Sequence, residues 1–189
     1  MKKFFWSLTL ATIFLMSSVA FAIGFEETLA EDADLTSIKN LAVALPMHYK
    51  VEVTEPTAEE FGDIVSNAGR LSKLTVISYD DMVDNIWRDA RVDIKALADT
   101  ESRKIYNEHV AAYADAYVTA TSANNNKYVQ FFFEVRNAKS GDMMYVFSTQ
   151  SRYYGKDLKC YTRACEDFYK QLNVVIEKQI KDLRKKKKS

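Results

Sequence analysis

An α/β (α+β) sandwich, two or three layers deep around a mixed sheet of four or five strands, is predicted by two features of this sequence. Period-two and period-3.6 segments alternate along the chain, and a long hairpin precedes an amphipathic closing helix. The hairpin runs from Lys127 to Arg152. Val129, Phe131, Phe133 and Val135 share one side of its first arm, and Tyr128, Gln130, Phe132 and Glu134 share the other, so one face is core. Asn137-Ala138-Lys139-Ser140-Gly141 tolerates turn conformations, and the return arm is again rich in Tyr, Val and Phe. Two strands alone are marginal in water, so other segments must cover this sheet.

Taken from the start, Met1-Lys2-Lys3 precede an apolar run from Phe4 to Met16 and then Ser17-Ser18-Val19-Ala20-Phe21-Ala22. This is the three-part pattern of a secretory signal peptide over residues 1–22, with cleavage expected after Ala22. The run falls short of the roughly 20 residues that span a bilayer, so no transmembrane segment is expected after cleavage. The expected location is periplasmic or secreted, and no cysteine stands at the cleavage site for acylation. Residues 23–37, with Glu26, Glu27, Glu31, Asp32 and Asp34, read as an acidic leader with at most one loose helical turn. A single domain is expected over 38–180, followed by a basic tail over 181–189.

Within that domain, Ile38 to Pro46 is a short apolar run closed by proline, as expected of a buried strand. Thr57 and Glu60 form a capping box, and Phe61, Ile64, Val65, Ala68 and Leu71 follow at helical spacing. Leu74 to Ser78 supplies a strand, with Ser78 capping a helix whose Met82, Val83, Ile86 and Trp87 share a face. A third helix from about Thr100 groups Ile105, Tyr106, Val110 and Tyr113. Ala114 to Thr121 alternates as a strand, and Ser122 to Asn126 reads as the loop into the hairpin. The closing helix carries a stripe of Phe168, Leu172, Val175, Ile176 and Leu183, then frays into lysines.

The chain has 26 basic and 26 acidic residues. Lys2 and Lys3 leave with the signal and Arg184 to Lys188 sit at the end, so the body holds 19 basic residues against 26 acidic ones. A nucleic-acid binder needs a basic face, and this chain has only a basic end, so no nucleic-acid partner is expected.

Several stretches carry a resemblance: the Ile-x-x-Leu-Ala-Val-x-Leu-Pro opening, the Leu-Thr-Val-Ile-Ser-Tyr-Asp-Asp-Met step into a helix, the Ala-Asp-Ala-Tyr-Val strand and the Val-Arg-Asn-Ala-Lys-Ser-Gly hairpin. Over about residues 38–178 the chain resembles the small periplasmic α/β domain of the LpoB, CsgG and N-terminal TolB type. The resemblance implies a non-enzymatic accessory role in envelope or outer-membrane assembly, with an envelope protein or assembly as partner, and it carries over no binding residue.

The side chains that bear chemistry are few. Cys160 and Cys165, the two cysteines, are expected to pair as a disulfide in exported protein if the last helix begins near Thr162 and leaves Cys160 in a loop. The alternative is a buried thiol at Cys165 with Cys160 a bystander. His48 and His109 lack ligand-like spacing and read as boundary residues. There is no Gly-rich phosphate loop, Gly-x-Ser-x-Gly elbow or His-Glu-x-x-His, so no cofactor, metal or catalytic group is expected. A secreted hydrolase or glycan-binding protein is the competing class. It would draw on acids such as Asp80, Asp81 and Asp115 and on the aromatics Tyr145, Phe147, Tyr153, Tyr154 and Tyr161. The tail residues Lys181, Arg184, Lys185, Lys186, Lys187 and Lys188 suit either a solvated end or a cationic arm for anionic lipid or wall polymer.

Overall fold

The computed structural model describes residues 24–49, 55–125, 127–152 and 158–186, so the signal segment 1–22 lies outside the described residues. The elements are β1 (Phe25–Leu29), β2 (Asn40–Val43), β3 (Met47–Tyr49), α1 (Ala58–Ala68), β4 (Thr75–Ile77), α2 (Tyr79–Ala90), α3 (Asp99–His109), β5 (Ala116–Asn124), β6 (Tyr128–Asn137), β7 (Met143–Arg152) and α4 (Lys159–Lys186). The expected α/β sandwich is present. Its mixed sheet has the order β1-β7-β6-β5-β2-β4, with β3 also paired to β5.

Local chemistry starts and stops the elements where the sequence signals them. Thr57 Oγ1 accepts from the Glu60 amide while the Glu60 carboxylate accepts from the Thr57 amide at 2.8 Å, which closes the capping box of α1. Ser78 Oγ accepts from the Asp81 amide at the head of α2. In the hairpin turn Asn137 Oδ1 accepts from the amides of Lys139 and Ser140, and Gly141 takes a φ of 72°, where a β-carbon would be strained. Val129, Phe131, Phe133 and Val135 of β6 are all fully buried, as their alternation requires.

The strand count exceeds the expected four or five because of two short strands that periodicity does not reveal. β1 arises within the acidic segment expected to be a leader and pairs antiparallel with β7, Phe25 opposite Thr149 through Leu29 opposite Tyr145. Side chains hold it as well: the Glu27 carboxylate accepts from Tyr145 Oη of β7 at 2.8 Å and from Gln171 Nε2 of α4 at 3.0 Å. The 3-10 turn that follows, Leu35–Ser37, is tied by Gln179, whose amide accepts from Leu35 N and donates to Ala33 O. β3 begins just past Pro46. β2 lies parallel to residues 116–118 of β5, and β3 lies parallel to residues 121–123, so proline interrupts a ladder that then resumes on the same neighbour. β5 correspondingly runs on to Asn124, through much of the stretch read as a loop.

One face of the sheet is closed by α1 and α4. Phe61 and Val65 of α1, and Phe168, Leu172, Val175 and Ile176 of α4, are buried against β5, β6 and β7. Burial of side chains this size contributes about 1.5–3 kcal/mol each. The stripe on α4 stops earlier than the sequence suggests. Leu183, expected to be its last anchor, is 46 % exposed, and Ile180 is the last apolar side chain packed on the core. The reason is length: 28 helical residues span about 42 Å, while a ten-residue strand spans about 33 Å, so α4 outruns the sheet.

The other face is closed over part of its width only. Met82 and Ile86 of α2, Tyr106 of α3 and the short turns Ile94–Ala96 and Val110–Ala112 pack on Ala42 and Tyr117. Beyond them Thr119, Thr121, Gln130, Phe132, Glu134, Val146 and Ser148 remain half-buried, with no described helix across them. Tyr49 at the end of β3 is 67 % exposed on the same face. The sandwich has three layers over β2, β4 and half of β5, and two layers elsewhere.

Phe168→Ala should cost about 3–5 kcal/mol, while Leu183→Ala should change stability by about 0.5 kcal/mol or less, as read by urea unfolding of both variants. Equal losses would mean that α4 is seated to its end.

Candidate functional site

A hollow of about 290 Å³ opens where α3 ends its cover and the bare sheet begins. Ser102, Arg103, Tyr106 and Asn107 come from α3 and Tyr79 from the head of α2. Tyr117 and Thr119 from β5 and Glu134 and Arg136 from β6 form the floor, because residues 117 and 119 lie directly across from 136 and 134. The step-off of β2 at Ala44 and Leu45 forms one rim.

Its polar groups are mostly committed. Tyr106 Oη donates to Val43 O at 3.0 Å, and Tyr79 shares a hydrogen bond with the buried Ser102 hydroxyl. Burial raises the phenols of Tyr79, Tyr106 and Tyr117 above the ordinary tyrosine range, so all three keep their protons at neutral pH. Arg136 grips Glu134 through Nε and Nη2 at 3.1 and 2.7 Å, and its Nη1 donates to Gly141 O. Arg103 differs from it. The guanidinium is half-buried and donates from Nη1 to Leu45 O at 3.0 Å, and it has no acidic partner among the described residues. Neither Arg103 nor Arg136 stands in a sequence motif that marks a site. The available signal was a guanidinium three residues before Tyr106 beside the polar Ser102 and Asn107, and its meaning depends on strands that lie elsewhere in the chain.

The acids named as raw material for hydrolysis are engaged in holding the fold. Asp80 pairs with Lys95 at 2.8 Å, and Asp81 accepts from Ser78 Oγ in the cap of α2. Asp115 accepts from the backbone amides of Asn40 and Lys39, which hold its carboxyl below the ordinary aspartate range and join the starts of β2 and β5. Tyr145, Phe147 and Tyr161 are core side chains, while Tyr153 and Tyr154 lie outside the described residues.

A second polar cluster lies on the closed face. His48 Nδ1 is 2.8 Å from Ser122 Oγ and 3.2 Å from Glu55 Oε2, and Tyr161 Oη donates to Glu55 Oε1 at 2.8 Å. A hydrolytic Ser-His-acid relay sets the hydroxyl and the carboxylate on opposite ring nitrogens. Here both face Nδ1, and Ser122 is fully buried. The cluster therefore ties Glu55 to β3, β5 and the head of α4. His109 sits at the C-terminal end of α3, where a basic side chain complements the helix dipole. Among the described residues no three of His, Cys, Asp and Glu are grouped to hold a metal. No helix among them is long and apolar enough to cross a membrane.

The expected disulfide is corrected by the position of the last helix. α4 begins at Lys159 and not near Thr162, so Cys160 and Cys165 are both helical and both buried, with no bond between them. Five residues of helix separate their α-carbons by about 8.6 Å, beyond the about 7 Å that a disulfide spans. The tail is corrected in part. Arg184, Lys185 and Lys186 continue α4 as exposed helical residues where fraying was expected, and Lys185 is paired with Asp182 at 3.7 Å. Lys187 and Lys188 lie outside the described residues.

No protein family and no curated protein matches the chain. Among solved structures it is similar to the PelC dodecamer from Paraburkholderia phytofirmans, with TM-score 0.49, 10 % identity, and coverage of 79 % of this chain and 96 % of that one. It is also similar to the LpoB C-terminal domain from Salmonella enterica, with TM-score 0.46, 10 % identity, and coverage of 64 % and 84 %. A lipoprotein from Neisseria meningitidis follows at TM-score 0.40 and 17 % identity, covering 62 % and 81 %. These likenesses assign no role to any residue.

Burial raises the Cys165 thiol well above its ordinary value, which suppresses the reactive thiolate. Purified without reductant, the folded protein should react slowly with an alkylating reagent and yield two thiols per chain once denatured. A count of zero would restore the disulfide.

Proposed function

We propose that this is an exported, non-enzymatic accessory protein of the cell envelope that works by holding an extended segment of an envelope-assembly protein. The observation that carries the proposal is the bare half of the second sheet face, where Phe132 and Val146 stay half-buried beside the exposed Tyr49 and the hollow. A strand face left open, with Phe132 and Val146 among polar neighbours, next to a concave polar hollow suits a partner segment laid along the strands. The export pattern of residues 1–22 and the motif-level resemblance to envelope domains point to the same compartment.

A photo-crosslinking residue at position 132 or 49, expressed in the native envelope, should give one discrete adduct that the same residue at position 70, on the closed side, does not. Recovery of uncrosslinked protein from all three positions, or turnover of a soluble substrate by the protein alone, would overturn the reading.

We propose a second contact for the overhanging end of α4. Lys181, Arg184, Lys185 and Lys186 stand exposed on helix that has left the core, with Lys187 and Lys188 following, while the body is acidic. Such an end suits an anionic lipid surface, each cation contributing about 1 kcal/mol near the charged plane. Full-length protein should sediment with phosphatidylglycerol vesicles at low salt and release as salt screens the attraction, and a chain stopped at Leu183 should stay in solution. Sedimentation that survives the truncation or ignores salt would leave the end a solubilising one.

A further inference from the structure

We infer that the hollow between α3 and the bare sheet is a binding site for a carboxylate, with Arg103 supplying its counter-charge. The inference deepens the binding reading and rests on it for where the remainder of the ligand lies. Arg103 is a half-buried guanidinium anchored at Nη1 by Leu45 O, with no acidic partner among the described residues. A partly desolvated cation without a counter-ion is costly, and a bound anion at Arg103 would offset that cost. This stands out in a body where acids outnumber bases. The other guanidinium in the hollow, Arg136, is already matched by Glu134, so Arg103, Arg136 and Glu134 together leave one uncompensated positive charge.

That charge selects the ligand class. One positive charge balances a monoanion, while the Glu134 carboxylate on the floor repels the second charge of a phosphate monoester. The planar fork of Arg103, less its occupied Nη1 donor, presents further N–H groups in the geometry that a carboxylate accepts. Asn107 adds an amide at the rim, and Tyr117, kept protonated by burial, adds a phenol on the floor. A volume of about 290 Å³ takes a group the size of one or two amino-acid residues. The carboxylate has two possible sources, a free small acid or the C-terminus of an extended chain whose preceding residues run along Thr119, Thr121 and Phe132.

The two sources and the inference itself are separated by one titration set, followed by NMR of the arginine Nε–Hε signals of the full mature chain. The probes are N-acetylphenylalanine, its primary amide, and an acetylated pentapeptide ending in phenylalanine with a free or an amidated C-terminus. The acids should shift the Arg103 signal, and each amide should bind about tenfold or more weakly than its acid. Arg103→Met should abolish the difference between acid and amide. Arg103→Lys, which keeps the charge and loses the fork, should retain weakened acid binding and covers the case in which the methionine variant fails to fold. Arg70→Met, on the closed side, should leave binding unchanged. A pentapeptide acid that binds more tightly than the free acid identifies a chain end, and equal binding identifies a small acid. Equal binding of acid and amide, no binding of either, or acid binding undiminished in the Arg103 variants would overturn the inference. Crosslinking at positions 49 and 132 is independent of all these outcomes, so a failed carboxylate site leaves the partner-binding reading standing.

Discussion

The stack between α4 and the hairpin is the contact on which the rest of this fold depends. The rings of Phe133 and Phe168 lie nearly parallel with centroids 4.7 Å apart, and Phe147 flanks both at 6.1 and 6.2 Å. Two turns of helix away, Tyr161 meets Phe131 and Phe61 edge-on at 4.9 and 5.1 Å, which brings α1 into the same seam. Aromatic contacts of this geometry add about 0.5–1.5 kcal/mol each beyond their buried area. They also orient α4, and that orientation sets everything at its two ends. At the head, Tyr161 reaches Glu55 and through it His48. Along the flank, Gln171 and Gln179 capture β1 and the turn after it. At the tail, the helix runs off the sheet with its cations exposed.

Cover of the other face is incomplete. α2 and α3 are short, and they spend their apolar residues on β2, β4 and the start of β5, which leaves the long central strands uncovered over their far halves. The hollow lies on this boundary. Its floor is strand and its wall is helix, so a ligand there touches a rigid surface on one side and the edge of a smaller, separately packed layer on the other. Some acids and bases are paired between elements, as in Lys73 with Glu177 and Lys95 with Asp80, while Arg103 at the hollow has no acidic partner among the described residues.

What was readable in advance had a local cause. Thr57 and Glu60 satisfy each other's backbone groups three residues apart, Ser78 does the same for Asp81, and Asn137 folds its own turn, so their partners were visible within a few positions. Alternation in Val129 to Val135 reports a buried face whichever strands lie beside it. Strands β1 and β3 had no such signal. The five residues of β1 are all exposed, so no hydrophobic alternation marks them, and they are strand because the edge of β7 offers backbone partners more than a hundred residues away.

By itself the sequence determined the buried face of β6, most of the apolar stripes of α1 and α4 and the heads of α1 and α2, because each of these follows from side-chain period or from bonds between near neighbours. Tertiary structure alone decided where α4 begins and where its cover ends. These set the fates of Cys160, Cys165 and Leu183, since helix position against the sheet is a matter of matched lengths and ring contacts between distant segments. It also decided that Arg103 lines the same hollow as Glu134 and Arg136, with no acidic partner of its own among the described residues. An arginine on a helix is unremarkable in sequence, and its place at the wall of a hollow exists only once the strands beneath it are in place.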